Sequence, residues 1–243
     1  YASGVNTTGS YNTALGHYSL AGATSGSQNT VVGYNALSAT TTGGWNTAVG
    51  VNALLNNTTA SYNTAVGYQA GYSNTADSGV TAVGWTALYG NTTGTNNTGI
   101  GQQALKANTT GLNNSSLGHN SLLANTTGSY NTGIGQAALF SNTTASNNTA
   151  VGYQSMYSNT TGTQNVAVGT LALYTNTTGT ANTSVGYNAN YSGSTAGNVT
   201  AIGHNALSAN TASNNTAVGA GSLQANTSGT GNVAVGSGLS GVE

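Results

Sequence analysis

The chain has 243 residues, of which only Asp77, Lys106 and Glu243 carry a formal charge, and it contains neither proline nor cysteine. With 1% charged and 37% hydrophobic residues it has neither the charge of an ordinary soluble domain nor that of a disordered tract. A single lysine excludes an electrostatic footprint for nucleic acid, no apolar run is long enough to span a bilayer, and the lack of cysteine excludes a disulfide framework.

An aliphatic residue followed by glycine recurs from one end to the other, so residues 1–243 read as a single repeat array. The units begin at Gly16, Gly33, Gly50, Gly67, Gly84, Gly101, Gly118, Gly135, Gly152, Gly169, Gly186, Gly203, Gly219 and Gly236. Each step is 17 residues except the one from Gly203 to Gly219, which is 16 and loses its residue in the turn around Asn210 to Ser213. With glycine as position 1, the unit runs Gly, aromatic or polar, Gln or Asn, Ala, Leu, and two variable residues. Asn-Thr-Thr-Gly follows at positions 8–11, then two variable residues, and Asn-Thr-Ala-Val closes the unit at positions 14–17.

Taken in order along one unit, the glycine opens a turn because it alone reaches positive φ without penalty. Position 5 is Leu or Met in eleven of the thirteen complete units, as in Leu37, Leu54, Leu88 and Met156, and marks a core column. Asn-Thr-Thr-Gly supplies a second turn. In Asn-Thr-Ala-Val, alternation with Val in the core sends Thr64 and Val66 inward and Ala65 outward, and sets the position 4 alanines opposite Leu. Two short strands joined by two turns make one coil, and one coil cannot bury a face alone. The predicted fold is therefore all-β, a β-solenoid (β-helix or β-roll) of about fourteen 17-residue coils stacked into a rod about 65 Å long. Stacked columns also explain the lack of charge, since like charges one strand spacing apart repel. Two units depart together from the pattern, with Gly71 and Val80 in one and Asn190 and Val199 in the other. There Tyr72 and Tyr191 are expected to turn inward and replace the missing leucine.

The chemistry of this composition is that of a non-enzyme. Asp77 is the only acid inside the repeats, so paired carboxylates are not available, and neither a cofactor nor a metal site is expected. His17, His119 and His204 share one column but lie six and five coils apart, about 29 and 24 Å, too far to share a metal. Aromatic residues after the glycine, Tyr34, Tyr68, Trp85, Tyr153 and Tyr187, are candidate glycan contacts, with mutual stacking as the plainer role. Asn57, Asn91, Asn108, Asn125, Asn142, Asn159 and Asn176 open NxT sequons and are candidate glycosylation sites, although turn chemistry already accounts for them. A smooth outward strip of Ala48, Ala65, Ala82, Ala150 and Ala167 is the candidate contact of a homo-oligomer; the alternative is a coil too narrow for anything larger there. Threonine columns at Thr13, Thr47, Thr64, Thr98, Thr132 and Thr149 raise ice binding as the competing function, weakened by their expected inward direction.

The strings NTAVGYQA (Asn63 to Ala70), NTGIGQAALFSNTTA (Asn131 to Ala145) and NVAVGTLALYTNTTG (Asn165 to Gly179) resemble the 17-residue repeats of bacterial and phage tail fibre domain proteins. Those proteins often end in an endosialidase-type self-cleaving chaperone domain, which is not among residues 1–243. The aliphatic and glycine part of the unit is more loosely similar to the head repeats of trimeric autotransporter adhesins. The resemblance implies a non-enzymatic fibre shaft or adhesin stalk of an extracellular filament or phage tail fibre, at a cell surface or virion. It also implies a homo-oligomer, as a trimer or an end-to-end filament, with cell-surface carbohydrate as a candidate partner and neither nucleic acid nor a membrane span involved. The chain begins without Met, and the pattern runs from Asn6 to Gly236, so flanking segments removed or ends stacked on other copies are both expectations.

Overall fold

The computed structural model describes residues 6–238. It is a β-solenoid: fourteen three-residue parallel strands recur at the repeat spacing, with no helix among the described residues. The chain divides into two compact units, 1–127 and 128–243. The first carries β1 (Thr13–Leu15) through β7 (Ser115–Leu117), and the second carries β8 (Thr132–Ile134) through β14 (Val233–Val235). Within each unit equal positions pair, as Thr47 with Thr64, Ala48 with Ala65 and Val49 with Val66. The short step keeps this register, Thr200 opposite Thr216, because its missing residue falls in the turn.

Each coil contains one strand where the sequence suggested two. The remainder is a chain of turns set by left-handed residues at positions 3, 5 and 13, for example Asn35, Leu37 and Trp45 with φ of 53°, 49° and 56°. Asn suits that region, whereas Leu and Trp do not choose it by themselves. What holds them there is the stack. The Leu37 amide donates to the Ala53 carbonyl of the following coil (3.0 Å or less), and the Asn52 amide donates back to Tyr34 of the preceding one. Backbone groups that would otherwise be orphaned in a turn are thus satisfied between coils.

The interior corrects the expected phase of the strand. Ala48, Ala65, Ala82, Ala150 and Ala167 are fully buried, whereas Val66 and Ile100 are about one-third exposed (36% and 37%). Position 4 alanines are buried too, next to the buried Leu column, because left-handed residues on both sides of them cancel strand alternation. A coil whose cross-section already holds Leu and two Asn side chains leaves little room at position 16, which is Ala, Gly or Ser in every coil except that of the fully buried Val31.

Polar columns complete the core. At position 14, Asn46 accepts from the Asn63 amide through Oδ1 (3.0 Å) and donates from Nδ2 to the Ala60 carbonyl (3.0 Å), clamping the next coil twice. At position 8, Asn108 donates to Asn91 Oδ1 and Asn125 to Asn108 Oδ1, each at 2.7 Å. The adjacent Thr92 and Thr109 hydroxyls donate to the same position's carbonyl one coil on, at 3.1 and 3.0 Å. Every member of the Asn-Thr pair is therefore a coil-to-coil bond, which is the physical content of the motif.

The two irregular units are present, but tyrosine does not fill them. Tyr72 stacks on Tyr89 and Tyr191 on Tyr174 at the surface, with centroids 4.9 and 5.1 Å apart. The buried apolar groups are instead Val80 and Val199, where other coils hold Asn, and Val199 packs with Ala201, Ala206 and Leu207. Asn190 is buried with neither side-chain polar atom bonded, beside Gly193, where other coils carry the position 8 Asn.

Asp77 occupies a position that is Ala60, Ala145 or Ala196 elsewhere, and one of its carboxylate oxygens has no partner. Burial raises its pKa above the ordinary carboxylate value. A carboxyl whose folded pKa exceeds its unfolded one adds stability in the acid range that is lost as pH rises through the folded value. Melting temperature should therefore rise as pH falls from neutral to below about 4. The variant Asp77→Ala should melt higher than the parent at neutral pH and lose most of this dependence, which a pH series of thermal melts checks.

Candidate functional site

Turning Ala inward turns Thr and the aliphatic residue of each strand outward. Position 15 places Thr47, Thr64, Thr98, Thr132 and Thr149 on the outer strand face, and Thr13 is more exposed still. Position 17 runs beside it with an aliphatic residue in every coil, the most exposed being Leu15, Leu117 and Val235 at 67, 48 and 79%. Within each unit this is an uncharged face of hydroxyl and aliphatic columns, one row per strand. A second threonine column, at position 10, is exposed in the turn, as in Thr59, Thr93 and Thr161.

The candidate glycan contacts do reach solvent: Tyr34, Tyr68, Trp85, Tyr153 and Tyr187 are all close to half exposed. Their neighbours in the column are partly rings as well. His17 stacks on Tyr34 (5.8 Å) and His204 on Tyr187 (5.3 Å). Position 6 forms tighter ladders, Tyr72 on Tyr89 in the first unit and Phe140, Tyr157, Tyr174 and Tyr191 in the second, with centroids 4.8 to 5.3 Å apart. Within each ladder these rings cover one another and present edges, leaving a ring face open only at a ladder's end. Sequence reading missed a third column at position 13, where Tyr11, Trp45, Tyr62 and Tyr130 are all more than half exposed. Its signal was available as the aromatic residue preceding Asn in four units.

The alanine contact and the glycosylation sites are corrected by burial. Ala48, Ala65, Ala82, Ala150 and Ala167 have no exposed surface and cannot meet a second chain. Asn57, Asn91, Asn108, Asn125, Asn142, Asn159 and Asn176 are all fully buried. Their amides are spent in the ladder, as in the Asn159 donation to Asn142 Oδ1 at 2.9 Å, so the folded chain offers no nitrogen to glycosylate. The turn that makes the sequon is the turn that buries it.

Among the described residues no three His, Cys, Asp or Glu side chains come together, and no helix is long and apolar enough to cross a membrane. The single cation, Lys106, lies over the Trp85 ring with Nζ 5.9 Å from its centroid. Beside it a groove is lined by Tyr89, Gly90, Gln103, Ala107, Leu123 and Ala124. No family model, curated protein or solved structure matches the chain.

Proposed function

We propose that the chain is a structural shaft of an extracellular fibre or stalk, and that copies of it associate side by side through the Thr and aliphatic face of the strands. The observation that supports this is the outward aliphatic column at position 17 in each compact unit, on a face with no charge to keep it soluble alone. The contact first assigned to alanine thus moves one residue along the strand. Burying such a column between copies removes apolar surface at about 25 cal/mol per Å². The resemblance to tail fibre repeats points the same way, and the regular coil, bonded to its neighbours at every turn, suits a load-bearing element.

Sedimentation velocity tests it. The parent should sediment as an oligomer. Val66→Lys, Val83→Glu and Ile100→Lys together, with alternating sign so that neighbouring rows attract, should give a monomer with unchanged circular dichroism. A monomeric parent would refute the reading.

One observation favours a second reading. The threonines whose expected inward direction argued against ice binding face outward, in rows set by the strand spacing. A monomeric parent that shapes ice and shows thermal hysteresis, with both lost in the triple variant, would select ice binding over the shaft.

A further inference from the structure

We propose that the break in the first unit's ring ladder at Lys106 is a binding site for a carboxylate-bearing pyranose, a hexuronic acid unit of a polysaccharide. Position 6 runs Tyr72, Tyr89, Lys106, Leu123. The first two rings stack with planes 13° apart. The next rung has no ring: the Lys106 ammonium reaches across to Trp85 of the preceding coil. What remains is an open groove of about 500 Å³, with Tyr89 and Leu123 as its walls and Gly90, Ala107 and Ala124 as its small-residue floor.

The shape of the groove selects a ring. Tyr89 and Leu123 stand two coils apart, roughly 10 Å on the strand spacing. A gap of that width admits one ring, and a pyranose in it sets its C–H face against the free face of Tyr89. The floor carries no side chain larger than a methyl group, so the ring can lie against the backbone. Gln103, on the lining, supplies an amide that both donates to and accepts from hydroxyl groups.

The charge selects an acid. Lys106 is the only Lys or Arg in the chain, and Asp77, the only acidic side chain among the described residues, lies two coils away in another column. A ligand carboxylate therefore meets an ammonium whose present partner is the face of an indole. This site goes beyond the shaft reading and meets the position 2 aromatic stripe only at Trp85, under the Lys106 ammonium, so its failure leaves the shaft reading in place.

The test uses the full chain carrying Trp45→Phe, which leaves Trp85 as the only tryptophan. Glucuronate oligosaccharides should change Trp85 fluorescence saturably in the range of about 1 mM, less so as salt is raised. Lys106→Gln should weaken the response about tenfold. Lys106→Tyr, which supplies the missing rung, should abolish it while circular dichroism stays unchanged. Neutral glucose oligosaccharides and benzoate should give no response. No saturable change with glucuronate up to about 10 mM, or equal binding by Lys106→Gln, overturns the site. Equal binding of the neutral sugar or of benzoate overturns the assignment of an acidic pyranose.

Discussion

Replacing Gly152 by Ala should destabilise the protein by about 3–5 kcal/mol, among the largest effects of any single methyl group in the chain. Gly152 has φ of +129°, a region essentially closed to residues with a Cβ. An added Cβ would lie 2.6 Å from the Gly169 carbonyl oxygen and 2.7 Å from its carbon, both backbone atoms of the next coil. That coil cannot retreat, because the Gly169 amide is bonded to the Val151 carbonyl at 2.7 Å. In a repeat stack each coil is stabilised by its neighbours, so the damage should appear as a broadened or split denaturant transition. Gly90→Ala is the matched control: its φ is not positive, an added Cβ would lie 3.0 Å from the Lys106 carbonyl oxygen, its equivalents are Ala107 and Ala124, and it should cost about 1 kcal/mol or less. Equal midpoints for the two variants would show that the position 1 glycine is dispensable.

The same glycine was legible in the sequence, as were the period, the buried leucine column and the turn character of Asn-Thr-Thr-Gly. All of these are signals that repeat in type and spacing. The direction of the strand was not legible, because a three-residue strand such as Thr64 to Val66 offers two self-consistent phases. Hydrophobicity favoured Val66 inside, and the volume of the coil, known only once closed, put Ala65 there. Nor does the sequence show that Leu37 or Met156 is left-handed, since neither prefers that region and the hydrogen bonds that enforce it come from other coils. The surface followed from the same error: with Val and Thr assigned inward, the exposed strand face was assigned to alanine. Lys106 could be singled out as the one cation, but its place over Trp85 depends on columns 2 and 6 being adjacent across coils, which only the closed turn reveals.

The last expectation concerns the paired departures at positions 5 and 14. Wherever Leu or Met is replaced, by Gly71 or Asn190, the Asn of the same coil becomes Val80 or Val199, and both valines are buried. Their positions should therefore be energetically coupled, and Met156 with Asn165 offers a regular coil in which to measure it. Met156→Ala alone should cost about 2–5 kcal/mol by leaving a cavity. Asn165→Val alone removes the Oδ1 acceptor of the Asn182 amide (3.0 Å) and the Nδ2 donor to the Gly179 carbonyl (2.9 Å). The carbonyl keeps its bond from Asn176, so the main loss is one buried amide without a partner, about 1–3 kcal/mol, with crowding against Met156 adding about as much. In the double variant the valine methyl groups occupy space that methionine has left. Both the cavity and the crowding shrink together, while the amide stays unpaired. The double variant should then be at least about 1 kcal/mol more stable than the sum of the single losses predicts. Denaturant melts of the four proteins give the coupling directly. Additive losses would mean that valine does not compensate for the missing side chain, and that the two irregular coils are held by something other than their buried Val80 and Val199.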